Sequence, residues 1–135
     1  MTDTIVISKS LQLAMIDHAR AVLPNECCGY ITGVNNECKT LHKMTNVDAS
    51  PVHFSFDPKE QFGVIKAARQ VGEHPLVVYH SHPESPARLS NEDRRLLKDP
   101  EMVYAIVSLE QATPDIKAYR IVDGTVAQVK IKETI

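Results

Sequence analysis

The chain has 135 residues, 43% of them hydrophobic and 24% charged, with a formal net charge of -2 at pH 7. That length suits one domain with a genuine core, and no composition shift, linker, repeat or low-complexity tract divides residues 1–135. The basic residues are scattered and do not alternate with aromatics, so a nucleic-acid partner is not suggested. No apolar run approaches the roughly 18 residues a membrane span needs, and Met1-Thr2-Asp3-Thr4 has no basic-then-apolar pattern, so the expected location is cytoplasmic.

Residues 5–8 read as a short first strand. Ser8 or Ser10 then caps a helix running to about Val22, with Leu11, Leu13, Ala14, Ile16 and Ala19 on its apolar side. Pro24 stops it. Residues 29–32 and 38–44 form two strands joined by a turn at Gly33-Val34-Asn35-Asn36, and 45–51 is a loop. Phe54-Ser55-Phe56 is extended, facing either a groove or the core, with the core favoured. Asp57 and Pro58 start a second helix as N-cap and first residue. It turns Phe62, Ile65 and Ala68 inward and ends near Val71-Gly72.

Residues 75–79 form the central strand, followed by a loop containing Pro83 and Pro86. Ser90 caps a third helix, bearing Asp93 and Leu96 and closed by Pro100. Residues 102–109 are strongly β. A final hairpin, 116–121 and 125–131, folds around Asp123-Gly124. The pattern predicts an α/β fold, a mixed central β-sheet flanked by helices.

Cys27, Cys28 and Cys38 are an odd set. Neighbouring Cys27 and Cys28 resist a mutual disulfide because of geometric strain. A reducing compartment explains this usage best. No CxxC pair is present, so a four-cysteine zinc site is excluded.

The apolar run 76–79 ends directly in His80-Ser81-His82-Pro83. A strand period of two puts His80 and His82 on one face and Ser81 on the other. Asp93, eleven residues after His82, can add a carboxylate and leave a fourth position for water, the usual arrangement of catalytic zinc. Taken singly these residues are ordinary. Asp93 could be a favourable first-turn carboxylate, His80 a hydrogen-bonded buried histidine and Glu26 a surface turn residue.

Their conjunction is specific: Glu26, then His80-x-His82-Pro83, then Ser90-x-x-Asp93. It resembles the signature of the JAMM (MPN+) metalloproteases and spans nearly the whole chain. The resemblance implies the JAMM/MPN fold, an architecture similar to that of the cytidine deaminases. It implies one Zn2+ per chain on His80, His82 and Asp93, with Glu26 as general base for water and Ser90 as oxyanion donor. Partial burial would raise the pKa of Glu26 toward neutrality. Ser90 could equally cap the Asp93 helix. Ser81 is read as support for the ligands. Cys28 resembles the family cysteine before the glycine and is read as a packed thiol, Cys27 as an incidental small apolar residue, and Gly29 as permitting close backbone approach.

The chain is compact, and its segment 46–62 resembles the short prokaryotic members of the family. The resemblance implies an isopeptidase or peptidase whose substrate is a ubiquitin-like sulfur-carrier protein, cut at the peptide or isopeptide bond after its C-terminal Gly-Gly to release cysteine or a short extension. The carrier tail would be extended and could pair with a strand edge near the site. Two alternatives stay open: a non-catalytic MPN-type binding module, and a deubiquitinase-like peptidase with another protein substrate. A homodimer is also left open. A nucleoside-type zinc deaminase is disfavoured, because no Pro-Cys-x-x-Cys accompanies the histidines.

Overall fold

The β-rich runs of the sequence gather into one sheet, and that sheet closes on itself. A computed structural model describes residues 3–134; Met1, Thr2 and Ile135 lie outside the described residues. In chain order the elements are β1 (Thr4–Val6), α1 (Lys9–Ala21), β2 (Cys28–Val34), β3 (Glu37–Met44), α2 (Pro58–Gln70), β4 (His74–His82), α3 (Asn91–Leu96), β5 (Val103–Ser108), β6 (Asp115–Val122) and β7 (Thr125–Lys132). The strand order is β1-β3-β2-β4-β5-β6-β7. β4 and β5 are parallel, whereas β2 is antiparallel to both β3 and β4.

The mixed sheet with helices is therefore as expected, but its closure is not. β1 pairs in parallel with β7 through three residues and with β3 through Val6 and Glu37. A three-residue strand carries no periodicity from which two partners could be read. β4, at the centre of the sheet, extends through both histidines rather than ending before them.

Two apolar clusters cover the two faces. Under α1 lie Met15, Ala19, Ile31, Val77, Tyr79, Ala105 and Val107. Under α2 lie Cys28, Tyr30, Met44, Val64, Val78 and Tyr104. Successive side chains of β4 alternate between them, as the pleat requires. The Gly29 expectation finds a particular partner here. A Cβ at Gly29 would lie 2.4 Å from the ring of Tyr79, which is wholly buried.

The helix faces needed correction. Ser8, not Ser10, caps α1 by accepting from the Leu11 amide. Its buried residues are Met15, His18 and Ala19, whereas Leu13 is exposed. His18 earns its place by a 2.7 Å hydrogen bond between Nδ1 and the Tyr79 hydroxyl. In α2 the cap at Asp57 and the proline behind it are as expected. The inward pair is Val64 and Ala68; Phe62 is 70% exposed and Ile65 39%. An i, i+4 pair shares a face, and the sheet selected the smaller residues for the close approach. α3 ends at Leu96, short of Pro100. Leu97 leaves the helical region and packs with Phe54 and Phe56 against the α2-side cluster.

Candidate metal and catalytic site

The site grows from the end of β4. Period-two alternation sends His80 and His82 to the α2 side of the sheet and Ser81 to the other. α3 supplies the third group. Ser90 Oγ accepts from the Asp93 amide, while the Ser90 amide donates to Asp93 Oδ2, each at 3.0 Å. This capping box fixes the carboxylate at the helix start. His80 Nε2, His82 Nε2 and Asp93 Oδ2 lie 3.1, 3.1 and 3.2 Å apart in pairs, and all three residues are buried.

The donor set fits one metal ion. Tetrahedral bonds of about 2.0–2.1 Å from imidazole and carboxylate space their ligand atoms about 3.3–3.4 Å apart. The triangle is thus within a few tenths of an ångström of that spacing before any ion enters. His82 Nδ1 lies 2.9 Å from the Pro86 carbonyl. Donation to that oxygen puts the free lone pair on Nε2, facing the cluster. His80 Nδ1 has no hydrogen-bond partner among the described residues, and its ring is instead stacked on Phe54, 4.8 Å between centroids.

Protonation favours the same role. Burial holds His80 below the ordinary imidazole value, so it stays neutral. At His82 burial also acts downward, but hydrogen bonds to Asp93 and to the Pro86 carbonyl prevail and raise it. Burial would raise Asp93, yet the hydrogen bonds to His80 and His82 outweigh it and hold the carboxyl well below the usual carboxylate range. Metal binding must therefore displace a proton from His82 in acid, which weakens affinity there.

Glu26 reaches the site from just before β2, the strand beside β4. Cys28 pairs with His80, so the same antiparallel register carried two residues further sets Glu26 opposite His82. Ser81 secures this extension from the opposite face. Its Oγ accepts from the Cys27 amide at 2.7 Å, and its amide donates to the Cys27 carbonyl at 3.1 Å. Glu26 is buried, and among the described residues Oε1 has no hydrogen-bond partner. Burial pushes its carboxyl up to about 8, against an opposing pull from His82.

A cleft of about 790 Å³ opens over these groups, lined by Glu26, His82 and Ser90 with Pro51, Val52 and Pro83. The Ser90 oxygen accepts the helix amide, which leaves its hydroxyl hydrogen for another partner. On the other side of Asp93 lies a cavity of about 320 Å³, walled by Tyr30, Phe54, Phe56, Leu97 and Tyr104. Phe54 and Phe56 thus belong to both alternatives, packing on the core cluster while lining a cavity. Cys28 is fully buried on the site face, and burial pushes its thiol up to about 12. A protonated, packed thiol fits its expected part. All three cysteines are free and buried.

Sequence reasoning placed Phe54 in a groove or the core but not against His80, where its ring stacks, and it gave Asn46 no role. Asn46 ties the 46–55 loop to Glu26, and only its place in a run of turn-forming residues could have signalled it. No helix among the described residues is long and apolar enough to cross a membrane.

A buried His-His-Asp triangle beside an unpartnered buried carboxylate, at a strand end in an α/β barrel, defines a metallopeptidase site. Residues 8–122 match the family of prokaryotic homologs of the JAB domain, and the chain belongs to that JAMM/MPN+ family. It is 35% identical over 127 residues to the CysO-cysteine peptidase of Mycobacterium tuberculosis, covering 92% of this chain and 87% of that one. It is 34% identical over 103 residues to the desampylase of Haloferax volcanii, covering 70% and 73%. The solution structure of a protein from Desulfitobacterium hafniense superposes with a TM-score of 0.89 at 38% identity, covering 96% and 92%.

Proposed function

We propose that this chain is a zinc-dependent peptidase that cleaves after the C-terminal Gly-Gly of a ubiquitin-like sulfur-carrier protein, releasing cysteine or a short extension. The observation that carries the reading is the buried donor triangle of His80, His82 and Asp93 next to the unpartnered Glu26 carboxylate. Likeness to the CysO-cysteine peptidase supports the choice of carrier.

His80, His82 and Asp93 hold one zinc ion. When bound, zinc supplies Lewis acidity toward a water molecule and a carbonyl oxygen. Glu26 takes a proton from the attacking water on a carboxylate oxygen and passes it to the nitrogen of the leaving amine. The Ser90 hydroxyl donates to the substrate carbonyl oxygen as negative charge develops there. A cytoplasmic location keeps the three thiols reduced.

Likeness to a desampylase favours a second reading, a peptidase that separates such a protein from another protein. One experiment tests both. The zinc-loaded enzyme is mixed with carrier proteins ending in Gly-Gly-Cys, in a longer extension, or in an isopeptide to lysine, and product masses are followed. Release at Gly-Gly in the first two supports the leading reading. Cleavage of the isopeptide alone moves the assignment to the second, and intact masses in all three refute both.

A further inference from the structure

The loop between β3 and α2 contains a side chain with an unusual set of partners. Asn46 Nδ2 donates to the carbonyl of Glu26 at 3.1 Å and to that of His53 at 3.0 Å, with the Ser50 carbonyl at 3.5 Å. Asn46 Oδ1 accepts from the amides of Asp48 and Ser55, at 3.1 and 3.3 Å. Carbonyls surround one end of the amide and N–H groups the other, so the network itself settles which atom is nitrogen.

The two ends have different jobs. The oxygen shapes the loop, because both of its donors belong to it. The nitrogen also holds the loop, through the His53 and Ser50 carbonyls, and it alone ties the loop to Glu26 through the Asn46 side chain. Glu26 is sequence-distant from Asn46, and its amide also donates to the loop, to the Ser50 carbonyl at 2.8 Å. The backbone of Glu26 is thus gripped on both sides by one loop. His53 directly precedes Phe54, whose ring plates the metal-ligand candidate His80. One amide therefore ties the backbone of Glu26 to the residue that precedes the aromatic ring on His80.

We propose that Asn46 is a positioning residue for the peptidase reaction: its side-chain nitrogen sets the Glu26 carboxylate and the Phe54 wall in register with the metal ligands. This rests on Glu26 being the base. Misplacing a reacting group by about 1 Å costs roughly 100-fold in rate, so a single amide holding two segments has leverage on turnover without touching substrate.

Asn46→Asp separates the two jobs. It is nearly isosteric, keeps the acceptor for Asp48 and Ser55, and replaces the donor with an oxygen facing three carbonyls. Asn46→Ala removes both. Thr45→Ala is the control: it deletes the Thr45 hydroxyl bond to Glu60, at 2.8 Å, at the root of the same loop and leaves Asn46 alone. For each variant kcat, KM, metal content and melting temperature are measured on whichever carrier the parent cleaves. Amide exchange at Glu26 is followed in the metal-free protein.

Asn46→Asp is expected to lower kcat roughly 10- to 100-fold with metal retained, at least as severely as Asn46→Ala. Glu26 exchange should speed up roughly tenfold, the scale of one lost hydrogen bond. Thr45→Ala should lower the melting temperature and leave kcat and Glu26 exchange alone. An Asn46→Asp enzyme with parental kcat, or with Glu26 exchange no faster than that of Thr45→Ala, overturns the proposal and leaves Asn46 a loop former. A parent that cleaves no carrier defeats the proposed substrate instead. The exchange comparison then still decides whether Asn46 holds Glu26.

Discussion

Replacing Glu26 by glutamine should make the protein both inactive and more stable. The carboxyl is buried with Oε1 unpartnered, and burial raises it from its ordinary value of 4.5 to about 8. Between those values the folded chain keeps a proton that the unfolded chain has lost. Stability from this group is therefore fully present below 4.5, falls as pH rises, and is gone above about 8. At pH 7 the wild-type carboxyl costs about 3 kcal/mol relative to a neutral group of the same shape. Glutamine is that group, and it removes the cost. Urea unfolding of metal-free parent and Glu26→Gln between pH 4 and 9 reads the difference directly. Histidine titrations other than that of His82, which the Glu26 charge raises, are common to both proteins and cancel. The gap should be near zero below pH 4.5 and grow to about 3 kcal/mol at pH 7, while hydrolysis by the zinc-loaded variant falls roughly 100-fold or more. A variant no more stable than the parent at pH 7, or a gap independent of pH, would show that Glu26 is not held in a desolvating site.

Ser90→Ala removes an N-cap worth about 1 kcal/mol by denaturation and should also lower kcat roughly 100-fold if the hydroxyl steadies the oxyanion; parental kcat leaves only the cap. Cys28→Ala should keep kcat at saturating substrate, because its thiol is protonated at neutral pH and packed in the core. Loss of turnover with fold and metal intact would reinstate a thiol nucleophile. Gly29→Ala drives a Cβ against the Tyr79 ring and should destabilise by about 1–3 kcal/mol, the scale of overpacking; a change below about 0.5 kcal/mol in urea unfolding would mean the ring moves freely.

The closeness of His80 to His82 and of Ser90 to Asp93 was legible because each pair lies in a local pattern with a fixed geometric consequence. His80 and His82 alternate on a strand, and Ser90 with Asp93 forms a helix start. Glu26 came from the family resemblance, and its geometry follows from strand pairing over 54 residues of separation between Cys27 and Ser81. Non-local contacts account for what was illegible. Barrel closure depends on β1 meeting β7 at the far end of the chain. The inward face of α2 depends on the sheet beneath it, since the helix carries apolar residues on both sides. His18 is buried because Tyr79 offers a hydroxyl, a partner no helix periodicity could announce.

The central claim is metal-dependent hydrolysis at His80, His82 and Asp93, and a zinc titration tests it most directly. Metal-free protein receives zinc in steps while cleavage of a Gly-Gly-extended carrier is followed by mass. Activity should rise linearly and stop at about one equivalent per chain, with Asp93→Asn binding zinc more weakly and gaining little activity. Cleavage that proceeds without metal, or that ignores loss of the Asp93 carboxylate, would contradict the account.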